Sequence, residues 1–257
     1  MSFRCLVTIA VLLKQVPDTT AKISVSGGRV DESAVSKWSM SPYDEYALEA
    51  ALQLKEAGEG DVVAITCGPA RATKMLTDAA AVGADTLILI PDDGVTDSTH
   101  VQSLLAAAVK RSGSDVVLCG KQAADTNGGS TGPGVSHLIG AACVGMVSEV
   151  SVEGNGFIAL RSSPSGNERV GVSRPCLFTF DKGVTELRRP NVRGIMMAKK
   201  KQIETVTSDE LGVTIGASSV SLQSHSPPPV KPPGQKFEGS DSVPAVVAKL
   251  RDEANVI

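Results

Sequence analysis

The stretch with the clearest chemical potential is 120–136, GKQAADTNGGSTGPGVS, which follows a short apolar run at 115–119. Its glycines let backbone N–H groups come close to an anion, and a helix expected to begin near Gly132-Pro133 adds unpaired donors and a positive dipole end. A loop that leaves a strand and enters a helix is also where open α/β sheets bind ligands. The spacing matches neither the P-loop nor the Gly-x-Gly-x-x-Gly fingerprint, so an ordinary strand-to-helix turn and a phosphate cradle both fit it. Asp125 suits either reading, as a ribose contact or as the head of an Asx-turn.

Other reactive residues point less far. Cys5, Cys67, Cys119, Cys143 and Cys176 lie in or beside apolar runs without Cys-x-x-Cys spacing, so reduced, buried thiols in a cytoplasmic protein are expected, not zinc ligands or disulfides. His100, His137 and His225 have no spacing that suggests a metal or a triad, and His137 is expected to be structural or solvent-facing. Between Leu187 and Ile203 there is no acidic residue and six are basic: Arg188, Arg189, Arg193, Lys199, Lys200 and Lys201. That run is a solvated face or a docking surface. A net charge of −3, a pI near 5.7 and 3% aromatic residues argue against a nucleic-acid binder.

These residues need a scaffold, and 257 residues with 42% hydrophobic and 21% charged content supply one core plus a small module or arm. The apolar run 5–13 reads as a strand buried on both faces, not a signal peptide, and no segment is long and apolar enough to span a membrane. Residues 22–30 read as a hairpin turning at Gly27-Gly28. Ser41 as N-cap, Pro42 in the first turn, and Asp44 and Glu45 near the dipole open a helix that Gly58 closes. Strands at 61–67, 86–90 and 115–119 alternate with helices at 71–82 and around Val101, Leu104, Leu105 and Ala108. That alternation predicts an α/β fold with a Rossmann-like, doubly wound, mostly parallel sheet. Residues 146–152 and 157–161 read as an antiparallel pair joined at Gly154-Asn155-Gly156, with a further strand at 175–180. A Ser/Pro-rich connector at 224–234 leads to a last amphipathic stretch at 243–256.

Five islands, in order, carry a family likeness: Leu13-Lys-Gln-Val-Pro-Asp-Thr; Met40-Ser-Pro-Tyr-Asp-Glu-Tyr-Ala-Leu-Glu-Ala-Ala; Cys67-Gly-Pro-Ala with Gly83-Ala-Asp; Gly120-Lys-Gln-Ala; and Gly194-Ile-Met-Met-Ala-Lys-Lys-Lys. Along nearly its whole length the chain resembles the β subunit of electron transfer flavoproteins. It departs from that pattern at Ser41, where Asn is usual, at Pro164-Ser165-Gly166-Asn167 before Glu168, where acidic residues are usual, and at Phe178 in place of an aliphatic residue.

The resemblance implies a heterodimer whose α subunit carries most of the surface for a redox-active FAD, closed over by the β subunit. It also implies an adenine nucleotide in the Rossmann-like domain of the β subunit: AMP in ordinary members, or a second FAD reduced by a nicotinamide nucleotide in electron-bifurcating ones. Carried onto this sequence, that site uses backbone near Leu12, then Ser41, Pro42, Tyr43, Asp44 and Cys67, then Asp125, Thr126, Asn127, Gly128, Gly129, Ser130, Thr131, Gly132, Pro133, Gly134, Val135 and Ser136. Val192, flanked by Asn191 and Arg193, matches the apolar tip that docks in an acyl-CoA dehydrogenase-type flavoprotein of the fatty-acid oxidation kind. The resemblance further implies a quinone oxidoreductase or a ferredoxin downstream.

The implied organisation is a nucleotide-binding domain at 1–186, a basic recognition loop at 187–204, and a connector and arm at 205–257 that packs on the α subunit. Lys14-Gln-Val-Pro-Asp-Thr, Gly132-Pro133 and Gly234-Gln-Lys-Phe-Glu-Gly resemble the FAD-holding branch, while Asp125-Thr-Asn-Gly-Gly-Ser-Thr-Gly-Pro keeps only the ends of the bifurcating pattern. No side chain is expected to act as acid, base or nucleophile. The alternative is a stand-alone ATP- or AMP-binding or hydrolysing protein of the same fold.

Overall fold

Thr8–Leu12 (β1) is apolar at successive positions because both faces of the sheet are covered: Ile9 and Val11 enter one core cluster, Ala10 and Leu12 the other. The computed structural model describes residues 8–92, 95, 97–183, 185–231 and 233–257, so Cys5 and the start of the first expected strand lie outside the described residues. Beyond β1 the chain leaves the sheet through Gln15–Pro17 (β2), the hairpin Val25–Ser26 (β3) and Arg29–Val30 (β4), and Trp38–Met40 (β5), which runs back antiparallel to β2.

The α/β alternation comes next: Pro42–Glu56 (α1), Asp61–Gly68 (β6), Thr73–Val82 (α2), Thr86–Pro91 (β7), Ser98–Ser112 (α3), Ser114–Gly120 (β8) and Thr131–Ile139 (α4). Then come Ala142–Glu153 (β9), Gly156–Ser163 (β10), Gly166–Val172 (β11), Cys176–Phe180 (β12), Val192–Ala198 (α5), Glu204–Thr205 (β13) and Val243–Asp252 (α6). Nine strands form one sheet in the order β11-β10-β9-β12-β8-β1-β6-β7-β13. It is parallel from β9 across to β13, and β10 and β11 extend it antiparallel. The Rossmann-like architecture expected from the sequence is the one observed.

Helices cover both faces. Ala47, Leu48, Ala51 and Leu52 of α1 and Met75, Leu76 and Ala79 of α2 pack on one, and Leu104, Leu105, Ala108 and Val109 of α3 with Val135 of α4 pack on the other. The chain builds β1, β6 and β7 outward, then crosses back over β1 to lay β8 on its other side. The connections from β1 and β8 therefore diverge, and that divergence opens a crevice at their C-terminal ends.

Four strands were not expected from the sequence: β2 and β5, which pair outside the main sheet, and two within it. Strand β11 (GNERVGV) is polar because it is an exposed edge, and β13 is two residues beside β7. Val206 just beyond it is buried, and Leu211, Val213 and Ile215 pack against the α3 face. The chain then runs exposed along the molecule. Arg29 donates to the carbonyls of Leu222 (2.7 Å) and Gln223 (3.2 Å), and the His225 amide donates to the Gly28 carbonyl (2.8 Å). Helix α6 at its end has no buried residue.

Candidate functional site

The crevice is held at its root by one carboxylate. Asp44, in the first turn of α1 and only 6% exposed, accepts the Lys14 amide (2.7 Å) on Oδ2 and the Gly120 amide (2.8 Å) on Oδ1. It thus ties the residue two places after β1 to the last residue of β8. Glycine is required at 120, since a Cβ there would lie 2.5 Å from Asp44 Oδ1 and 2.7 Å from Tyr43 Cβ. Burial pushes the Asp44 carboxyl up to about 7, although both amides favour its anion.

Ser41 does not cap α1 with its side chain. Its hydroxyl is buried with no partner among the described residues, while its amide donates to the Lys14 carbonyl and its carbonyl accepts Asp44 N. Pro42 occupies the first helical position as expected, and Lys121 Nζ sits 5.0 Å from the centroid of the Tyr43 ring.

From this root a cavity of about 520 Å³ opens over the ends of β1 and β6. Its wall takes Lys14, Gln15 and Asp18 from the segment after β1, Trp38 from β5, Cys67 and Gly68 from the end of β6, and Arg71 from the turn after it. Asp125 and Thr126 enter from the loop after β8, and His225 from the C-terminal segment. Lys14 Nζ reaches Asp125 at 2.9 Å (Oδ1) and 2.8 Å (Oδ2). Arg71 stacks on Trp38, 3.8 Å from the ring centroid, and pairs with Glu32 at 3.2 Å. Gln15 donates its amide to the Arg71 carbonyl, and its buried Oε1 has no partner among the described residues.

Of the residues singled out in the sequence, Cys67, Asp125 and Thr126 face this cavity. Leu12 does not line it, its side chain being buried on the α3 face. Asn127, Gly128, Gly129 and Ser130 form an exposed loop, with Asn127 and Gly129 at positive φ. Helix α4 starts at Thr131, where a helix near Gly132-Pro133 was expected, and Gly132 and Gly134 serve its packing. A Cβ on Gly132 would lie 2.5 Å from Thr179 Cγ2 and 2.9 Å from Cys119 Sγ, and one on Gly134 would meet the Gln102 amide. Pro133 is exposed, and Val135 and Ser136 are buried, with Ser136 Oγ donating to the Ala141 carbonyl.

Lys14, Gln15, Trp38, Arg71 and His225 were not singled out as site residues. The available signal was topological: Lys14 and Gln15 come directly after the central strand, and the residues leaving the C-terminal end of such a strand line the crevice. Among the described cysteines none is in a disulfide; of those expected buried, Cys143 near the start of β9 is exposed and Cys67 at the end of β6 is half-buried.

A second surface lies around α5. Val192, 75% exposed, starts the helix, Asn191 caps it by accepting the Gly194 amide (2.8 Å), and Ile195, Met196 and Met197 are exposed along it. Arg193, Lys199 and Lys200 are exposed beside them. Arg188 turns inward instead, donating to Glu49 at 2.8 Å from both Nε and Nη2 and to Glu56 at 2.7 Å. Lys201 donates to the Ala84 carbonyl.

A family profile described as the electron transfer flavoprotein domain matches residues 30–211. The electron transfer flavoprotein subunit beta of Bacillus subtilis is 32% identical over 254 residues, covering 96% of this chain and 98% of that protein. The chain belongs to the electron transfer flavoprotein β-subunit family.

The electron transfer flavoprotein subunit beta of Bradyrhizobium diazoefficiens is 34% identical over 251 residues, with 97% and 99% coverage. An Acetobacterium woodii protein named caffeyl-CoA reductase-Etf complex subunit CarD is 31% identical over 258 residues, with 95% and 98% coverage. As a member of this flavoprotein family, the chain places its crevice, its glycine loop and its basic helix on one α/β scaffold. Among the described residues, no helix is long and apolar enough to cross a membrane.

Proposed function

We propose that this chain is the β subunit of a heterodimeric electron carrier and that its crevice holds an adenine nucleotide. The observation that carries this reading is the 520 Å³ cavity at the topological switch, a volume ordinary for a small-molecule site. The residues present fit such a guest. Lys14 and Arg71 supply positive charge, and the orphaned Gln15 Oε1 offers an acceptor to a ribose or amine donor.

FAD suits the cavity better than AMP. Trp38, Ile23 and Val30 add aromatic and aliphatic wall at the hairpin, which a second ring system would use. When bound, flavin supplies the electron chemistry, while this chain's residues bind, orient and shield it.

The α-subunit partner finds an unpartnered helix: α6 exposes Val243, Val247 and Leu250. A dehydrogenase-type donor finds the apolar tip Val192 ringed by Arg189, Arg193, Lys199 and Lys200, in which charges steer encounter and the apolar contact slows departure.

Co-expression with the α-subunit gene, followed by nucleotide extraction, tests the reading. Two flavins per heterodimer support FAD in this chain, and one flavin with AMP replaces FAD by AMP. A colourless monomer that hydrolyses ATP would overturn the assignment in favour of a stand-alone nucleotide hydrolase.

A further inference from the structure

The cavity wall holds two long cations, and they are restrained differently. Arg71 is fixed three ways: its guanidinium lies on Trp38, it pairs with Glu32, and its carbonyl takes the Gln15 amide. Lys14 is fixed at its backbone, where Asp44 accepts its amide, but its ammonium is held by Asp125 alone among the described residues. Its side chain is 43% exposed on a flexible stem. The pair joins the loops that leave β1 and β8, whose roots the same Asp44 ties together. An ammonium with one exchangeable anionic partner, on a rigid base in a cavity wall, is suited to receive an incoming anion of higher charge.

We propose that Lys14 is the residue that recognises the phosphate of the bound nucleotide, and that Asp125 holds its ammonium in position until the phosphate displaces it. This rests on the nucleotide reading above and assigns Asp125 a different part from a ribose contact: it competes with the ligand for Lys14. The arriving phosphate exchanges one ion pair for another, so Asp125 and its loop are released as Lys14 is engaged. The resulting specificity is for phosphorylated over unphosphorylated nucleosides.

The heterodimer, with its shared flavin retained and the second nucleotide removed, is titrated calorimetrically with AMP and with adenosine. Lys14→Gln is expected to weaken AMP ~10- to 100-fold, as loss of a charge-assisted bond does, and to leave adenosine within about twofold. Asp125→Asn is expected to tighten AMP by about threefold, the scale of a partly exposed ion pair, again without moving adenosine. Adenosine serves as the folding control for both variants. Equal loss of AMP and adenosine in Lys14→Gln, or weaker binding of either probe in Asp125→Asn, overturns the assignment while leaving a nucleotide site in place. An unaltered heterodimer that binds neither probe, and does not take up FAD in the same titration, overturns the nucleotide reading itself.

Discussion

Asp44→Asn should raise stability relative to the unaltered chain at pH 8 and give no such advantage near pH 4. Burial lifts the carboxyl from its ordinary 3.8 to about 7, so between those limits the folded chain keeps a proton that the unfolded chain has released. The group's contribution is therefore fully present below about pH 4 and is lost as pH rises through 7. Three decades of proton affinity correspond to about 4 kcal/mol, a ceiling set by full burial.

Asparagine has no charge to desolvate, but its one carbonyl cannot accept both the Lys14 and Gly120 amides, which costs about 1–3 kcal/mol whatever the pH. The advantage of the variant should thus grow by about 4 kcal/mol from pH 4 to pH 8, or roughly 10 °C in Tm for a chain of this size. Thermal melts followed by circular dichroism at pH 4.5, 6, 7 and 8 measure it. A difference that stays constant with pH, or that turns against asparagine as pH rises, would show that the two amides outweigh burial.

Four further outcomes rest on exposure and packing. Val192→Ala should slow electron transfer from a dehydrogenase-type donor while bound nucleotide and Tm stay unchanged, because the side chain is 75% exposed; unchanged stopped-flow kinetics would take this helix out of docking. Arg188→Met should lower stability by about 3 kcal/mol, read in urea unfolding, since it strands Glu49, whose side chain is 7% exposed; a loss under 1 kcal/mol would mean that Glu49 reaches water. Gly132→Val should cost about 1–3 kcal/mol in the same assay, because Thr179 and Cys119 cannot both retreat. Gly134→Ala should cost less than Gly132→Val, as only the mobile end of Gln102 stands in its way, and the reverse order would contradict the packing.

The sequence made the sheet legible because strands covered on both faces are written as unbroken apolar runs, as in β1, β6, β7 and β8. It concealed β11, a polar edge, and β13, too short to have a period. The glycine loop was visible, but glycine has two uses, and at 132 and 134 the use is close helix packing, with Ala124, Asp125 and Thr126 of that segment reaching the cavity. Trp38, Arg71 and His225 were hidden for another reason: the pairing of β2 with β5 and the path of the C-terminal segment bring them together from positions far apart in the chain. Arg188 counted as one more charge in a basic run until its carboxylate partners on α1 were seen.

Those partners shape how the basic helix behaves. Arg188 pins its approach, Ala198 is buried beneath it, Lys201 is tied to the Ala84 carbonyl behind it, and Gly194 lies so close to the Ala81 carbonyl that no larger residue fits. Any protein that touches the exposed methionines meets a surface whose backbone freedom was already surrendered when the chain folded. Little remains to be ordered on contact, so whatever settles on this face meets a small entropic cost and need not wait for the helix to rearrange.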